Sequence, residues 1–209
     1  MSGSTRWLAI AAGLLLLAAG SSDVARARPS SVQAAPAAST ADPRTLERGP
    51  ENARVTIVEF ADFTSEASAR LAFMLEALSA RYPDDVRVVF RHNVDQSRPD
   101  AVLVHEAALA AAAQGRFWEM ADLIFSNQNH LQRADLERMA GQLGLDAKRF
   151  DADLDSQPYD DVLLRDRQEA ASAGVRDVPT CMLNGRRFDW PLTLEQLKKA
   201  VAGVLANPY

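Results

Sequence analysis

Two apolar, β-branched runs that flank one amphipathic helical pattern constrain the fold of this chain more than any other feature. Residues 54–60 and 86–92 each have the composition of a buried strand. Between them, Leu71, Leu75 and Leu78 recur at spacings of three and four, which gives an apolar stripe that can pack on a sheet. A strand, a helix and a strand in this order predict two parallel strands joined by a right-handed crossover.

A long helical block follows these elements. From about residue 100 to residue 174 the pattern is helical almost throughout, with glycines that end two of the segments. The Asn184-Gly185 pair then lies between two short strand-like runs, which predicts a tight β-hairpin. Thr193 and Gln196 form a capping-box pattern that opens a last amphipathic helix. The order of elements predicts an α/β fold with an inserted helical subdomain.

The first part of the chain has the pattern of an export signal followed by a linker. Residues 7–19 form an apolar run as long as the apolar region of a signal peptide and too short to span a bilayer. Residues 28–47 are rich in Ala, Pro, Ser and Thr and have no apolar periodicity. We therefore expect a signal peptide at residues 1–27, a flexible linker at 28–47 and one domain at 48–209. The exported, periplasmic protein would keep no stable membrane span; an uncleaved anchor is the alternative.

Composition argues against several classes of function. The 209-residue chain has a net charge of −5 and a pI of about 5.2, without a basic stripe, so we predict no nucleic-acid partner. His92, His105 and His130 show neither metal-ligand spacing nor the context of a Ser-His-acid triad, so we predict no metal and no cofactor. Cys181 is the single cysteine, which excludes an intramolecular disulfide. Because it lies in an apolar stretch, we expect its side chain to be buried.

Four local strings carry a resemblance to a known family. They are ENARVTIVEFADF at residues 51–63, VVFRHN at 88–93, QGRFWEM at 114–120 and GVRDVPT at 174–180. Together with the order of elements they resemble the DsbA-like branch of the thioredoxin superfamily, over residues 48–206. The resemblance implies a thioredoxin-like α/β fold in which the helical block is the inserted subdomain.

The resemblance also identifies a substitution at the family's redox site. Ser65 and Ser68 occupy the two positions where the family has cysteines, with Glu66 and Ala67 between them. Disulfide exchange needs a thiolate that attacks and a second sulfur that resolves the mixed disulfide. A helix N-terminus stabilises an anion by about 0.3–1 kcal/mol, up to about 2 kcal/mol when partly buried, which is too little to ionise a serine. Dithiol-disulfide oxidoreductase activity is therefore not expected, and we predict no catalytic residue.

The segment around Pro179 resembles the family's cis-proline loop. A cis-proline leaves the preceding backbone exposed to an extended segment of a partner. We therefore predict a groove for an extended peptide or an exported protein partner, between residues 63–68 and residues 178–180. The predicted binding residues are Phe63, Ser65, Glu66, Val178, Pro179 and Thr180.

Other interpretations of Ser65 remain open. The simplest is a plain helix N-cap, a role worth about 1 kcal/mol. The functional alternative comes from kappa-class glutathione transferases, whose fold is also DsbA-like and whose serine at the first cysteine position binds the glutathione thiolate. Glu66 argues against a glutathione-dependent enzyme here, because a neighbouring carboxylate raises the pKa of a thiol. A purely structural role is a third possibility.

Overall fold

The computed structural model describes residues 46–188 and 191–207. The predicted signal peptide and nearly all of the predicted linker, residues 1–45, lie outside the described residues. At the end of that linker, Leu46 is only 3% exposed and Glu47 belongs to a strand. The folded part therefore includes residues that precede the predicted domain start at residue 48.

Strands and helices follow one another along the chain in the predicted order. The described elements are β1 (Glu47–Arg48), β2 (Val55–Ala61), α1 (Glu66–Arg81), β3 (Val86–His92), α2 (Pro99–Ala112), α3 (Phe117–Ser126), α4 (Arg133–Gln142), α5 (Ala147–Ser156), α6 (Asp160–Ser172), β4 (Thr180–Leu183), β5 (Arg186–Phe188) and α7 (Leu194–Ala206). The predicted α/β class and its inserted helical block are confirmed, with α2 to α6 as the insertion. None of the described helices has the length and apolar character needed to cross a membrane.

The strands form one mixed sheet with the order β1-β3-β2-β4-β5. β2 and β3 are parallel, as the strand-helix-strand pattern predicts, and the other pairs are antiparallel. In the hairpin between β4 and β5, Asn184 and Gly185 have φ angles of 47° and 77°, which favour this residue pair in a two-residue turn. β1 was not predicted from the sequence, because two residues are too few to give a strand pattern.

The core has two parts. In one, α1 and α7 pack on the sheet through Leu71, Leu75 and Leu197, which are all fully buried. The other fills the insertion around α2, where 11 of 14 residues are buried. An alanine-rich helix that is apolar on every side is suited to a central position, because small side chains let the neighbouring helices approach closely. Buried polar groups on α2 therefore need partners from the rest of the domain.

Candidate functional site

The site begins where β2 ends and the chain turns into α1. Ser65 is the N-cap residue of α1, and its Oγ accepts a hydrogen bond from the backbone N–H of Ser68 at 3.3 Å. Ser68 is fully buried, and its Oγ accepts the backbone N–H of Asp62 at 3.3 Å. The hydroxyls of Ser65 and Ser68 thus each satisfy a backbone amide, one at the helix terminus and one in the preceding turn.

Asp62 holds the turn from the inside. Its Oδ1 accepts hydrogen bonds from the Thr64 N–H and the Thr64 hydroxyl, each at 2.7 Å. Burial raises the pKa of Asp62, and the hydrogen bonds from the Thr64 N–H and hydroxyl lower it. Arg98 Nη1 lies 3.7 Å from the other carboxylate oxygen. Thr64 and Arg98 therefore favour the charged form of this buried carboxyl group at the edge of the site.

Two buried histidines extend from this turn into the insertion. The Phe63 N–H donates to Nε2 of His105 at 3.2 Å, so we assign the proton of His105 to Nδ1. That Nδ1 lies 2.7 Å from Nδ1 of His92, which then accepts and carries its own proton on Nε2. Burial lowers the pKa of both imidazoles, and for His92 repulsion from the charged form of His105 and from Arg165 and Arg91 lowers it further. We conclude that both rings are neutral at pH 7.

The insertion also holds the outer side of the same turn. Gln128, just after α3, donates from Nε2 to the carbonyl oxygens of Phe63 at 2.7 Å and Ser65 at 2.9 Å. His105 and Gln128 together therefore hold the backbone of residues 63–65 in place. No sequence pattern predicted either Gln128 or His105 as a site residue. No local pattern connects either residue to a turn 42 to 65 positions away.

The cis-proline loop approaches the same end of the sheet. The Val178–Pro179 peptide bond is cis, and Thr180 pairs with Phe60 in the sheet. Among the described residues, neither the backbone N–H nor the C=O of Val178 forms a hydrogen bond, and its side chain is half-buried. Val178 also lines a polar pocket of about 370 Å³ that Asp62 borders. Among the described residues, Val178 is thus a residue with an unpaired backbone beside the turn, and Arg176 in the same loop also forms no backbone hydrogen bond.

The predicted binding residues differ in how accessible they are. Glu66 is exposed, and Ser65 and Val178 are half-buried. Glu66 also forms an ion pair with Arg70 at 2.6 Å. The side chains of Phe63, Pro179 and Thr180 are buried, and Phe63 stacks on Phe90 with ring centroids 5.1 Å apart. Glu66, Ser65 and Val178 can therefore offer side-chain surface to a ligand. The three buried side chains can only support the site from within the domain.

Two further ionisable groups lie within the sheet. Glu59 on β2 is buried, and burial raises its pKa to about 8. Cys181 on β4 is the sheet partner of Glu59 and is fully buried, as expected. Burial, and to a smaller extent the nearby Glu59, raises the pKa of its thiol to about 12. Its thiol is therefore not a nucleophile at neutral pH. Within the described part of the chain, no cluster of three or more His, Cys, Asp or Glu side chains is arranged to hold a metal ion.

The chain is similar to known thioredoxin-like proteins in sequence and in fold. A family model described as "Thioredoxin" matches residues 41–202. A thioredoxin-like oxidoreductase from Silicibacter pomeroyi DSS-3 has a TM-score of 0.70 at 22% identity, over 79% of this chain and 95% of that one. BdbD from Bacillus subtilis in its oxidised form has a TM-score of 0.70 at 15% identity, over 81% and 98%. A periplasmic thioredoxin-like protein from Salmonella enterica serovar Typhimurium gives 0.66 at 20% identity, over 79% and 92%.

Among curated sequences the similar proteins are much longer than this chain. A protein named Na(+)/H(+) antiporter NhaA from Herminiimonas arsenicoxydans is 39% identical over 141 residues, which cover 68% of this chain and 22% of that protein. The antiporter NhaA 3 of Salinispora tropica is 38% identical over 161 residues, covering 77% of this chain and 24% of that protein. The chain thus spans about a quarter of the length of these curated relatives.

Proposed function

Since this chain belongs to the thioredoxin family, we propose that it is a DsbA-like exported protein. We propose that it binds extended peptide segments and does not exchange disulfides. The binding site is the turn at residues 63–66 together with the loop at Val178. Export rests on the N-terminal signal pattern and on the periplasmic thioredoxin-like protein among the structural neighbours.

One observation carries this proposal: the backbone N–H and C=O of Val178 have no hydrogen-bond partner among the described residues. A strand-like peptide can pair with an N–H and a C=O that the protein itself leaves without partners. The neighbouring turn cannot rearrange easily, because His105 and Gln128 hold it from both sides. A site that is already ordered before binding loses less entropy when the peptide docks.

The chemistry available at this site is limited to recognition. Ser65 and Ser68 cannot form a disulfide, and the thiol of Cys181 is buried within the sheet. The hydroxyls of the two serines accept backbone hydrogen bonds and so maintain the shape of the turn. The domain would therefore bind a segment of a partner and release it unchanged.

The carboxymethylated B chain of insulin, labelled with fluorescein, provides a peptide with which to test this function. We expect saturable binding by fluorescence anisotropy, and at least about tenfold weaker binding for Val178→Lys, because the long side chain obstructs the site. Val175→Lys is the matched control: Val175 is also half-buried, but its N–H is already bonded to the Ala170 carbonyl at 2.8 Å. Equal binding by wild type and Val178→Lys would rule out this site.

Two enzymatic alternatives are tested on the same preparation. Catalytic reduction of insulin disulfides by the pure protein would contradict a non-redox role. A thermal shift with millimolar glutathione that disappears in Ser65→Ala would instead favour the glutathione-dependent enzyme. We expect neither result.

The curated relatives suggest which class of partner the site serves. In the Herminiimonas and Salinispora proteins the similar stretch is one part of a longer protein named as an antiporter. We therefore propose a membrane antiporter as a candidate partner of this chain. Co-expression of the tagged chain with a Na(+)/H(+) antiporter from the same genome, followed by affinity purification, tests the pair; recovery should fall with Val178→Lys and persist with Val175→Lys.

A further inference from the structure

A second concave surface lies far from the candidate site, between α7 and the edge strand β5. We call it the α7–β5 groove, and its volume is about 500 Å³. Phe188, Leu192, Ala200 and Val204 form its apolar floor. It adjoins a smaller hollow of about 190 Å³ that Leu183 also lines. A continuous groove with one deeper hollow is the shape that accepts an apolar anchor side chain.

This groove lies at the opposite end of the sheet from Asp62. The hairpin turn that leads into β5 is bonded to the start of β2, where Asn184 accepts the Thr56 N–H at 2.7 Å. It also donates to the Arg54 carbonyl at 3.0 Å. The candidate peptide site, in contrast, lies after the last residue of β2. The two surfaces can therefore be occupied at the same time.

The charged residues that the described part of the chain places around the groove have one sign. Arg186 and Lys199 line it, and among residues 46–188 and 191–207 no acidic residue does. Arg186 lies over the Phe188 ring, 5.4 Å from its centroid. Among residues 46–188 and 191–207, neither Arg186 nor Lys199 has an ion-pair partner. In a chain of net charge −5, a groove whose described charged residues are Arg186 and Lys199 complements an acidic ligand.

The periodicity of α7 indicates the shape of that ligand. The helix lines the groove with Gln196, Lys199, Ala200, Gly203, Val204 and Asn207, a single stripe at spacings of three and four. The stripe is about 16 Å long, from the rise of an α-helix. Another helix whose apolar residues have the same spacing can pack its ridges along such a stripe.

Gly203 supports a close approach at the middle of the groove. It lies inside α7, where glycine lowers helix stability relative to alanine. A Cβ atom at this position would meet no heavy atom within 4 Å, so packing within the described domain does not require a glycine. The space left beside the helix backbone is open to a ligand.

We propose that the α7–β5 groove binds an amphipathic helix of another protein, with its apolar stripe in the groove and acidic side chains against Arg186 and Lys199. The hollow beside Leu183 takes one apolar side chain of that helix. This interaction is independent of peptide binding at Val178.

A fluorescein-labelled helical peptide of about 14 residues, stapled by a lactam, spans the groove and serves as the probe. It carries Leu at positions i, i+3, i+4 and i+7 and Glu on both flanks. We expect saturable binding with a Kd on the order of 10 μM. A second peptide with Lys in place of Glu should bind at least about tenfold more weakly, because its charges repel Arg186 and Lys199.

Two variants test the location. Gly203→Leu should fill the groove and weaken binding at least about tenfold, while the domain stays folded because glycine is replaced by a better helix former. Gly141→Leu in α4 is the matched control, since a Cβ there also meets nothing within 4 Å. The double variant Arg186→Glu/Lys199→Glu should reverse the preference and bind the Lys peptide more tightly.

Several results would overturn the proposal. These are absence of binding up to about 1 mM Glu peptide, equal affinity for both peptides, or full binding by Gly203→Leu. Sedimentation of the free chain supplies a further one: a dimer that dissociates in Gly203→Leu but persists in Gly141→Leu would assign the groove to a second copy of this chain.

Discussion

The Nδ1 atoms of His92 and His105 lie 2.7 Å apart in a buried pair that joins β3 to α2. Only one of the two nitrogens can carry a proton at this distance, so one ring donates and the other accepts. The remaining nitrogen of His105 accepts the Phe63 N–H of the candidate site. A second proton on the pair would therefore disturb either the histidine contact or the backbone of the site. This arrangement links the protonation of the core to the geometry of the turn.

Acid should destabilise the protein through this pair. The pKa of each histidine in the folded protein lies below the value of 6.5 that it has when unfolded. The unfolded chain therefore binds more protons below pH 6.5, and stability falls as the pH is lowered, by up to about 1.4 kcal/mol per pH unit for each histidine. The double variant His92→Gln/His105→Gln should lose this slope in urea unfolding between pH 7 and pH 5. Exposed His130 provides the control, since His130→Gln should keep the slope.

Glu59 should change the stability of the protein with pH in the opposite direction to the histidine pair. Burial raises the pKa of Glu59 to about 8 from 4.5, so the folded protein holds this proton where the unfolded chain loses it. Its contribution to stability is fully present below pH 4.5 and is lost as the pH rises towards 8. Glu59→Gln should therefore gain stability over wild type as the pH increases from 5 to 8, in urea unfolding at each pH. A constant difference between the two proteins would contradict the buried neutral carboxyl; exposed Glu76→Gln is the matched control.

Gln128 should stabilise the site more than an ordinary surface glutamine does. Gln128→Ala leaves the carbonyls of Phe63 and Ser65 without their donor, and we expect a loss of about 1–3 kcal/mol in the free energy of unfolding. Asn127→Ala is the control, because among the described residues the side chain of Asn127 bonds to a single group, the Leu123 carbonyl of the preceding helix. Binding of the insulin B chain should weaken in the first variant only. Equal losses of stability in the Gln128→Ala and Asn127→Ala variants would contradict a stabilising role of Gln128 at the site.

The thiol of Cys181 should be inert in the native protein. It is fully buried and its pKa is raised to about 12, so almost no thiolate forms at pH 8. With 5,5′-dithiobis(2-nitrobenzoic acid), we expect no significant colour in native buffer and one equivalent per chain after addition of guanidinium chloride. Rapid reaction of the native protein would show that the thiol is accessible.

Cysteines at the two serine positions should restore thiol chemistry. In a Cys181→Ala background, Ser65→Cys/Ser68→Cys puts one thiol at the N-cap of α1 and the other one helical turn later. The helix N-terminus favours the thiolate at position 65. We expect an intramolecular disulfide, detected by mass spectrometry after alkylation, and reduction of insulin above that of Ser65→Cys alone. An inert double variant would mean that the site no longer has the geometry for exchange.

Much of the fold followed from local patterns. The strand at Val55–Ala61 and the helix after it were predictable because burial on one face imposes a short-range periodicity on the sequence. An N-cap role for Ser65 was one interpretation of its position before the helix, and Ser65 is the N-cap of α1. The edge strand at Glu47–Arg48 was not predicted, since its pairing with β3 depends on residues more than 40 positions away.

The candidate site divides in the same way. The sequence by itself determined that no dithiol can form, because a serine carries no sulfur and Cys181 has no intramolecular partner. It also located Ser65, Ser68 and Val178 through local strings. Only the tertiary structure decided which groups hold the turn: His105 and Gln128 reach it from the insertion, and Val178 is left with a free backbone beside it among the described residues. Such contacts depend on how whole helices pack, which no local spacing of residues encodes.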